Sequence, residues 1–246
     1  GKSLYNAAVM IENGEISKIT KKSLLPDYDV FDEYRYFEPN AHVTCINFNN
    51  KTIALTICED LWDDDGPNSY VGDIMLELAK ENPDLIINIA ASPFSYTHFE
   101  SRKNVLKGNV IKANAPLIYV NQVGAQTDII FDGRSLALNK KAEVILELKS
   151  FEEDLQYVEL NNNDLQAESS YTEKKNAEIA LIHDALILGL KDYFHKSGFK
   201  TAILGLSGGL DSALVAALAC EALGSENVLS ILMPSVYSSD HSLKDA

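Results

Sequence analysis

The sequence predicts an α/β protein in two parts: a layered α/β domain over residues 1–149 and, past an acidic linker at 150–170, the beginning of a parallel α/β nucleotide domain over 171–246. Three observations carry this reading. Short apolar runs alternate with amphipathic stretches from Ala7 to Leu148, then give way to hairpin-like runs, the pattern of a sheet covered by helices. The stretch 150–170 is acidic, holds Asn161-Asn162-Asn163 and has little apolar periodicity. From Thr201 to Met233 a strand, a glycine turn, a helix and a second strand follow one another as one βαβ unit.

Element by element, two β-rich runs between Ala7 and Ile19 flank Asn13-Gly14, the residue pair that best tolerates the positive φ angles of a type I′ hairpin. The stretch from Lys21 to Asn40 is polar, aromatic and irregular; His42–Phe48 and Thr52–Ile57 read as strands. Val71–Lys80 reads as a helix. Asp84–Ala90, an apolar run bounded by Asn82-Pro83 and Ser92-Pro93, reads as a buried strand. Phe99, Leu106, Val110 and Ala113 share one helical face, Leu117–Val120 is a strand, and Asp128–Leu148 contains three strand-like runs. Past the linker, Ser170 and Glu173 form a capping box. The helix they start keeps Ile179, Ile182, Leu186, Leu190 and Tyr193 on one face and stops at Lys196 and Gly198. Thr201–Leu206, Ala213–Leu223 and Val228–Met233 complete the βαβ unit.

Composition narrows the function. In 246 residues, 21 Lys and Arg face 36 Asp and Glu, a formal net charge of -15 that repels nucleic-acid phosphate and anionic lipid. No apolar run approaches the ~20 residues of a membrane span, so neither nucleic acid nor membrane is expected as a partner. Cys45, Cys58 and Cys220 are odd in number and stand in no CxxC pair, which argues against a disulfide framework or structural zinc and suits a reducing cytoplasm. The chain opens directly into a strand-like pattern without an initiator Met and stops abruptly, so it is expected to be an internal piece of a longer protein.

Gly205-Leu206-Ser207-Gly208-Gly209-Leu210-Asp211-Ser212 joins an apolar strand to an amphipathic helix. Free N–H groups and the helix dipole point into such a junction, and adjacent glycines let a phosphate approach the backbone. Ser207 and Ser212 add hydroxyls, and Asp211 beside a phosphate makes sense if Mg²⁺ bridges them. The loop has neither the Walker A ending nor GxGxxG spacing. It resembles the SGGxDS loop of the N-type ATP pyrophosphatases, which implies ATP binding at Gly205, Leu206, Ser207, Gly208, Gly209, Leu210, Asp211 and Ser212, with Asp211 as the metal residue. Met233-Pro234, Ser238-Ser239 and the final Asp245-Ala246 resemble the NAD synthetase branch of that family.

Cys58 ends the run Ile53–Ile57 and is followed by Glu59, Asp60, Leu61 and Trp62, so the thiol is expected to open onto solvent among acids. A thiol that attacks a carbonyl needs a cation or base to form its thiolate. No His stands in a recognisable partner motif. Lys22-Ser23-Leu24-Leu25-Pro26 with Glu33-Tyr34-Arg35-Tyr36-Phe37 resembles the K-x-x-L-P…E-x-R-x-F stretch of the nitrilase, or carbon-nitrogen hydrolase, superfamily, and Cys58-Glu59-Asp60-Leu61-Trp62 is similar to its C-E-D-x-W segment. The resemblance implies Cys58 as nucleophile, Lys22 as oxyanion-stabilising lysine and Glu33 as the supporting carboxylate. It also implies glutamine contacts at Tyr28, Glu59, Ser92 and His98. The family's general-base Glu comes from an earlier strand–helix unit; Glu12 and Glu15 flank the hairpin turn instead, and the base is expected upstream of Gly1.

The two resemblances imply a partial α-β-β-α nitrilase-like domain followed by the start of a Rossmann-like adenine-nucleotide domain. That order is found in the glutamine-hydrolysing NAD synthetase family. The implied reaction is ATP-dependent amidation of nicotinic acid adenine dinucleotide with ammonia from glutamine, on a homo-oligomer. The alternatives are a stand-alone nitrilase-type amidase, or a folded fragment without synthetase turnover.

Overall fold

The computed structural model describes residues 4–62, 73–168, 171–172, 177–234 and 244. In chain order the elements are β1 (Ala7–Glu12), β2 (Glu15–Lys21), α1 (Glu33–Tyr36), β3 (Ile46–Phe48), β4 (Lys51–Ile57), α2 (Ile74–Ala79), β5 (Leu85–Ala90) and α3 (His98–Ala113). They continue with β6 (Leu117–Asn121), β7 (Val123–Gln126), β8 (Ile129–Asp132), β9 (Leu136–Leu138), β10 (Val144–Glu147), β11 (Val158–Asn161) and β12 (Asp164–Ala167). Last come α4 (Glu178–Ser197), β13 (Ala202–Gly205), α5 (Leu210–Leu223) and β14 (Val228–Ile231). Two compact units result, one of Gly1–Gln122 with Gly133–Lys174, the other of Val123–Asp132 with Lys175–Ala246.

The first unit is built on a six-stranded sheet in the order β10-β9-β6-β5-β4-β3. Its centre, β4, β5 and β6, is parallel, and β3, β9 and β10 run antiparallel at the edges. Alternation of side chains decides which face each residue serves. Ile86 and Leu117 join Leu106 and Val110 of α3, with Met75 and Leu78 of α2, in one core; Leu85 and Ala137 point the other way. Each fully buried aliphatic side chain contributes about 1.5–3 kcal/mol. Asn13 (φ 53°) and Gly14 (φ 83°) turn the β1–β2 hairpin as expected, with a register shift at Met10/Ile11.

Several expectations change. The strand expected over His42–Phe48 shortens to β3, and the helix expected over Val71–Lys80 shortens to Ile74–Ala79, with Val71 outside the described residues. Within the expected linker at 150–170, β11 and β12 form a hairpin turned by Asn162 and Asn163, both at positive φ. Its Leu165 is buried with Leu85 and Ala137 on the sheet's second face. Two apolar side chains per strand suffice to cover a face when every second residue points outward, so the segment carries no long apolar run. The Ser170–Glu173 capping box lies outside the described residues, and α4 begins at Glu178. On that helix Leu181, Ala185 and Ile187 are buried, whereas Ile179, Leu186 and Tyr193 are exposed.

In the second unit β13 and β14 pair in parallel, with α5 between them in sequence and α4 beside α5. The β7–β8 hairpin, read in the sequence as part of the first domain, belongs to this unit and lies against α4. Asp192 accepts from Ala125 N at 2.7 Å and from Lys196 Nζ at 3.0 Å, and Lys196 also donates to Ala125 O. Gly124, at φ +124°, leaves room for this approach: a Cβ there would stand 3.0 Å from Asp192 Oδ2.

Burial alone would raise the Asp192 carboxyl, but the Ala125 N–H and the Lys196 ammonium hold it below the ordinary carboxylate range. A folded-state value below the unfolded one contributes stability above the unfolded value, about pH 4, which is lost as pH falls through the folded value. Asp192→Asn is therefore expected to lower the second unit's stability by about 1–2 kcal/mol at neutral pH and to flatten its acid limb, as read by urea unfolding across pH. Among the described residues no helix is long and apolar enough to cross a membrane.

Candidate functional site

Cys58 follows the last residue of β4 and opens a 3₁₀ turn, Cys58–Leu61. It sits at φ +45°, a left-handed conformation that a non-glycine residue adopts at a cost of order 1–3 kcal/mol. The turn lifts the thiol off the carboxyl end of a central parallel strand, where α/β sheets open their crevices. Ser92, two residues past β5, and Asn121, the last residue of β6, stand at the same edge. Asn121 ties the edge together: its Oδ1 accepts from Ser92 N at 2.9 Å, and its Nδ2 donates to Gly133 O at 3.0 Å. From β5, fully buried Asn88 donates to Thr56 Oγ1 at 2.9 Å and to Cys58 O at 3.4 Å, fixing the end of β4 from its neighbour.

The Lys22 side chain is only 1% exposed. Its Nζ meets Glu33 Oε1 at 2.6 Å, and Asn6 Nδ2 holds Glu33 Oε2 at 3.3 Å. The pair is spaced by β2's end and by α1: Lys22 N donates to Asn6 O, Asn40 N donates to Lys22 O, and Glu33 starts the short helix. Burial pushes the Cys58 thiol up; the Lys22 ammonium and the Ala91 N–H pull it back, while Glu59 and Glu33 push it further up. One buried cation beside a thiol, itself held by a carboxylate, is a set that can favour a thiolate and an oxyanion. At Cys45 burial, with Glu81, pushes the thiol up to about 12, which disfavours a thiolate there.

Cys58, expected to open onto solvent, is half-buried, and the acids that follow it are buried. Glu59 is 6% exposed and Asp60 is 2% exposed. Tyr28 Oη donates to Glu59 Oε1 at 2.6 Å, so two of the expected substrate-contact residues are already paired. Ser92 is buried and its Oγ accepts from Arg102 Nη2 at 3.4 Å. His98 begins α3 with its ring 5.1 Å from that of Trp62. The structure thus pairs Lys22 with Glu33, both within electrostatic reach of the Cys58 thiol, and joins Tyr28 to Glu59. Glu12 and Glu15 face each other across the tip of the hairpin, both exposed.

Reasoning from the sequence missed Asp60, Asn88, Arg102 and Asn121. A signal existed for two of them: Asn88 interrupts the apolar run Leu85–Ala90 and Asn121 closes Leu117–Val120, and a polar side chain inside a buried strand must find a partner.

In the second unit the loop after β13 places Gly208 at φ +77° and makes Gly209 the residue before α5. Ser212 Oγ accepts from Ser207 N at 3.2 Å and lies 3.0 Å from Ser207 Oγ, and Ser207 Oγ accepts from Gly209 N at 3.3 Å. The hydroxyls hold the loop's shape across the mouth of a 14-residue helix, whose first N–H groups have no intrahelical partner. Asp211 is exposed on the helix's first turn.

Comparison with known proteins agrees with both readings. Residues 1–168 match the family described as Carbon-nitrogen hydrolase, and residues 182–246 match NAD synthase. The glutamine-dependent NAD(+) synthetase of Synechocystis sp. is 47% identical over 253 residues, covering 100% of this chain and 45% of that protein. That of Aquifex aeolicus is 36% identical, covering 99% and 47%. Among solved structures, the glutamine-dependent NAD+ synthetase of Acinetobacter baumannii in complex with ADP superposes with a TM-score of 0.88 at 33% identity, covering 98% of this chain and 44% of that one. A carbon-nitrogen hydrolase from Helicobacter pylori shares the fold over 61% of this chain and 54% of its own, with a TM-score of 0.53 at 23% identity. The chain spans a little under half the length of these curated relatives. Through residues 1–168 the chain belongs to the carbon-nitrogen hydrolase family, and its residues 182–246 are similar to the NAD synthase family.

Proposed function

We propose that this chain is part of a glutamine-dependent NAD synthetase, in which the first unit releases ammonia from glutamine and the second binds the ATP that activates nicotinic acid adenine dinucleotide. The observation that carries it is the 2.6 Å Lys22–Glu33 pair beside Cys58 on one chain with the Ser207–Ser212 loop at a helix mouth. In the first unit the Cys58 sulfur attacks the amide carbon of glutamine, Lys22 stabilises the oxyanion, and ammonia leaves a γ-glutamyl thioester that water resolves. Glu33 keeps the Lys22 ammonium in place. Tyr28, Glu59, Ser92 and His98 line the approach as glutamine contacts.

In the second unit the loop from Gly205 to Ser212 cradles the ATP phosphates. A single carboxylate with two hydroxyls is the donor set of an ion that arrives with its phosphates, as Mg²⁺ does; Asp211 would hold it, and its charge would offset that of the phosphates. The test is the full-length protein assayed with nicotinic acid adenine dinucleotide, ATP and either glutamine or ammonium. NAD is expected with both nitrogen donors. Ammonia release without NAD from either donor would leave a nitrilase-type amidase, and no turnover at all would leave a binding fragment.

A further inference from the structure

The Asp60 carboxylate is buried and accepts three backbone hydrogen bonds: from Ser23 N and Leu24 N at Oδ1, both 2.9 Å, and from Ile57 N at Oδ2, 3.0 Å. The first two donors immediately follow Lys22 in the chain, and the third immediately precedes Cys58. One side chain therefore joins the segment that carries the cation to the turn that carries the thiol, two segments far apart in sequence. A backbone-held carboxylate at 2% exposure carries a desolvation cost. Burial pushes its carboxyl up, and the N–H groups of Leu24, Ile57 and Ser23, with the Lys22 ammonium, oppose that. A neutral polar residue or an apolar one would leave at least one of these three N–H groups without its acceptor, so the carboxylate itself is what joins the two segments.

We propose that Asp60 is a positioning residue that sets the Lys22 ammonium against the Cys58 sulfur, and so sets the ionisation of the nucleophile. The proposal rests on the amidase reading given above. Asp60 touches neither thiol nor substrate in this scheme; it acts through Lys22. Asp60→Asn keeps the shape and one acceptor, so Ser23 and Leu24 stay bound, but its NH₂ faces the Ile57 N–H, donor against donor. The Lys22 segment is then no longer locked to the Cys58 turn.

The experiment uses the full-length protein and reads two quantities: ammonia release from glutamine, and the pH profile of Cys58 alkylation by iodoacetamide, followed by mass spectrometry at that cysteine. Asp60→Asn is expected to lower kcat roughly 10–100-fold, the cost of a small misplacement, with KM for glutamine little changed, and to move the alkylation midpoint to higher pH. In a Lys22→Met background, the Asp60→Asn change is expected to give no further shift, because its effect travels through the ammonium. An unshifted or lowered midpoint in the single variant, or an equal further shift in the Lys22→Met background, overturns the proposal. A purely structural role would lower the thermal midpoint and the active fraction yet leave the alkylation profile in place. If Asp60→Asn does not fold, Asp60→Glu, which keeps the charge and displaces it by one methylene, is read by the same profile. Failure of the amidase reading itself would show separately, as absence of Cys58-dependent ammonia release in the unsubstituted protein.

Discussion

Cys58→Ala is expected to remove ammonia release from glutamine almost completely, by roughly 10,000-fold or more, while NAD synthesis supported by ammonium continues. The size follows from the chemistry. A nucleophile that forms a covalent intermediate cannot be replaced by its neighbours, and Lys22 and Glu33 have no reacting atom to activate without the thiol. The fold should survive. Alanine is smaller than cysteine, so nothing is overpacked, and the bond it gives up is the single one the thiol accepts from the Ala91 N–H. The strained φ of +45° remains with alanine as it was with cysteine. The check is a pair of assays on the same preparation, one with glutamine and one with ammonium. Loss of both would point to a folding defect; retention of glutamine-dependent synthesis would mean that Cys58 is not the nucleophile. Cys45→Ala, whose thiol is raised to about 12 by burial, is the matched control and should leave both activities intact.

The parts of the fold that were legible in the sequence are those where a single local rule decides. Asn13-Gly14 specified its hairpin because few residue pairs accept two successive positive φ angles, and the apolar runs of β4, β5 and β6 read as strands of a sheet covered by helices. The β11–β12 hairpin escaped because its apolar residues alternate with exposed ones within an acidic stretch. Its burial is decided by a face of the sheet far away in sequence. Of the β7–β8 hairpin only β8 fell within a strand-like run; the hairpin's attachment to α4 depends on Asp192 and Lys196, more than sixty residues later. At the site Cys58, Lys22 and Glu33, proposed as the reacting set, were legible because they stand in recognisable motifs. The residues that place them were not. Asp60 looks like one acid among acids, and only the converging N–H groups of Ser23, Leu24 and Ile57 show that it is a joint.

The loop at α5 should be as sensitive as the thiol, for a different reason. Gly208 sits at φ +77°, a region where a β-branched residue is strongly disfavoured, so Gly208→Val must either hold the strain or move the loop. Moving it breaks a set of contacts around that residue, since Ser207 Oγ lies 3.0 Å from Ser212 Oγ and accepts from Gly209 N at 3.3 Å, and Ser212 Oγ donates to Gly209 O at 3.0 Å. The N–H groups at the mouth of α5 would then no longer converge on a phosphate, and losing even one oriented donor typically costs a reaction about 100-fold or more. Ammonium-supported NAD synthesis is therefore expected to fall at least about 100-fold in Gly208→Val. Gly208→Ala, which can hold the left-handed conformation for about 1–2 kcal/mol, should lie between that variant and the unsubstituted protein. Using ammonium bypasses the thiol, so the loss reports on the nucleotide side alone, and calorimetric titration with ATP should show weakened binding in the same order. Alkylation of Cys58 serves as the internal reference and should proceed at the unsubstituted rate in both variants. Full ammonium-supported activity in Gly208→Val, with unweakened ATP binding, would show that this loop is a plain strand-to-helix turn and would remove the nucleotide assignment of the second unit.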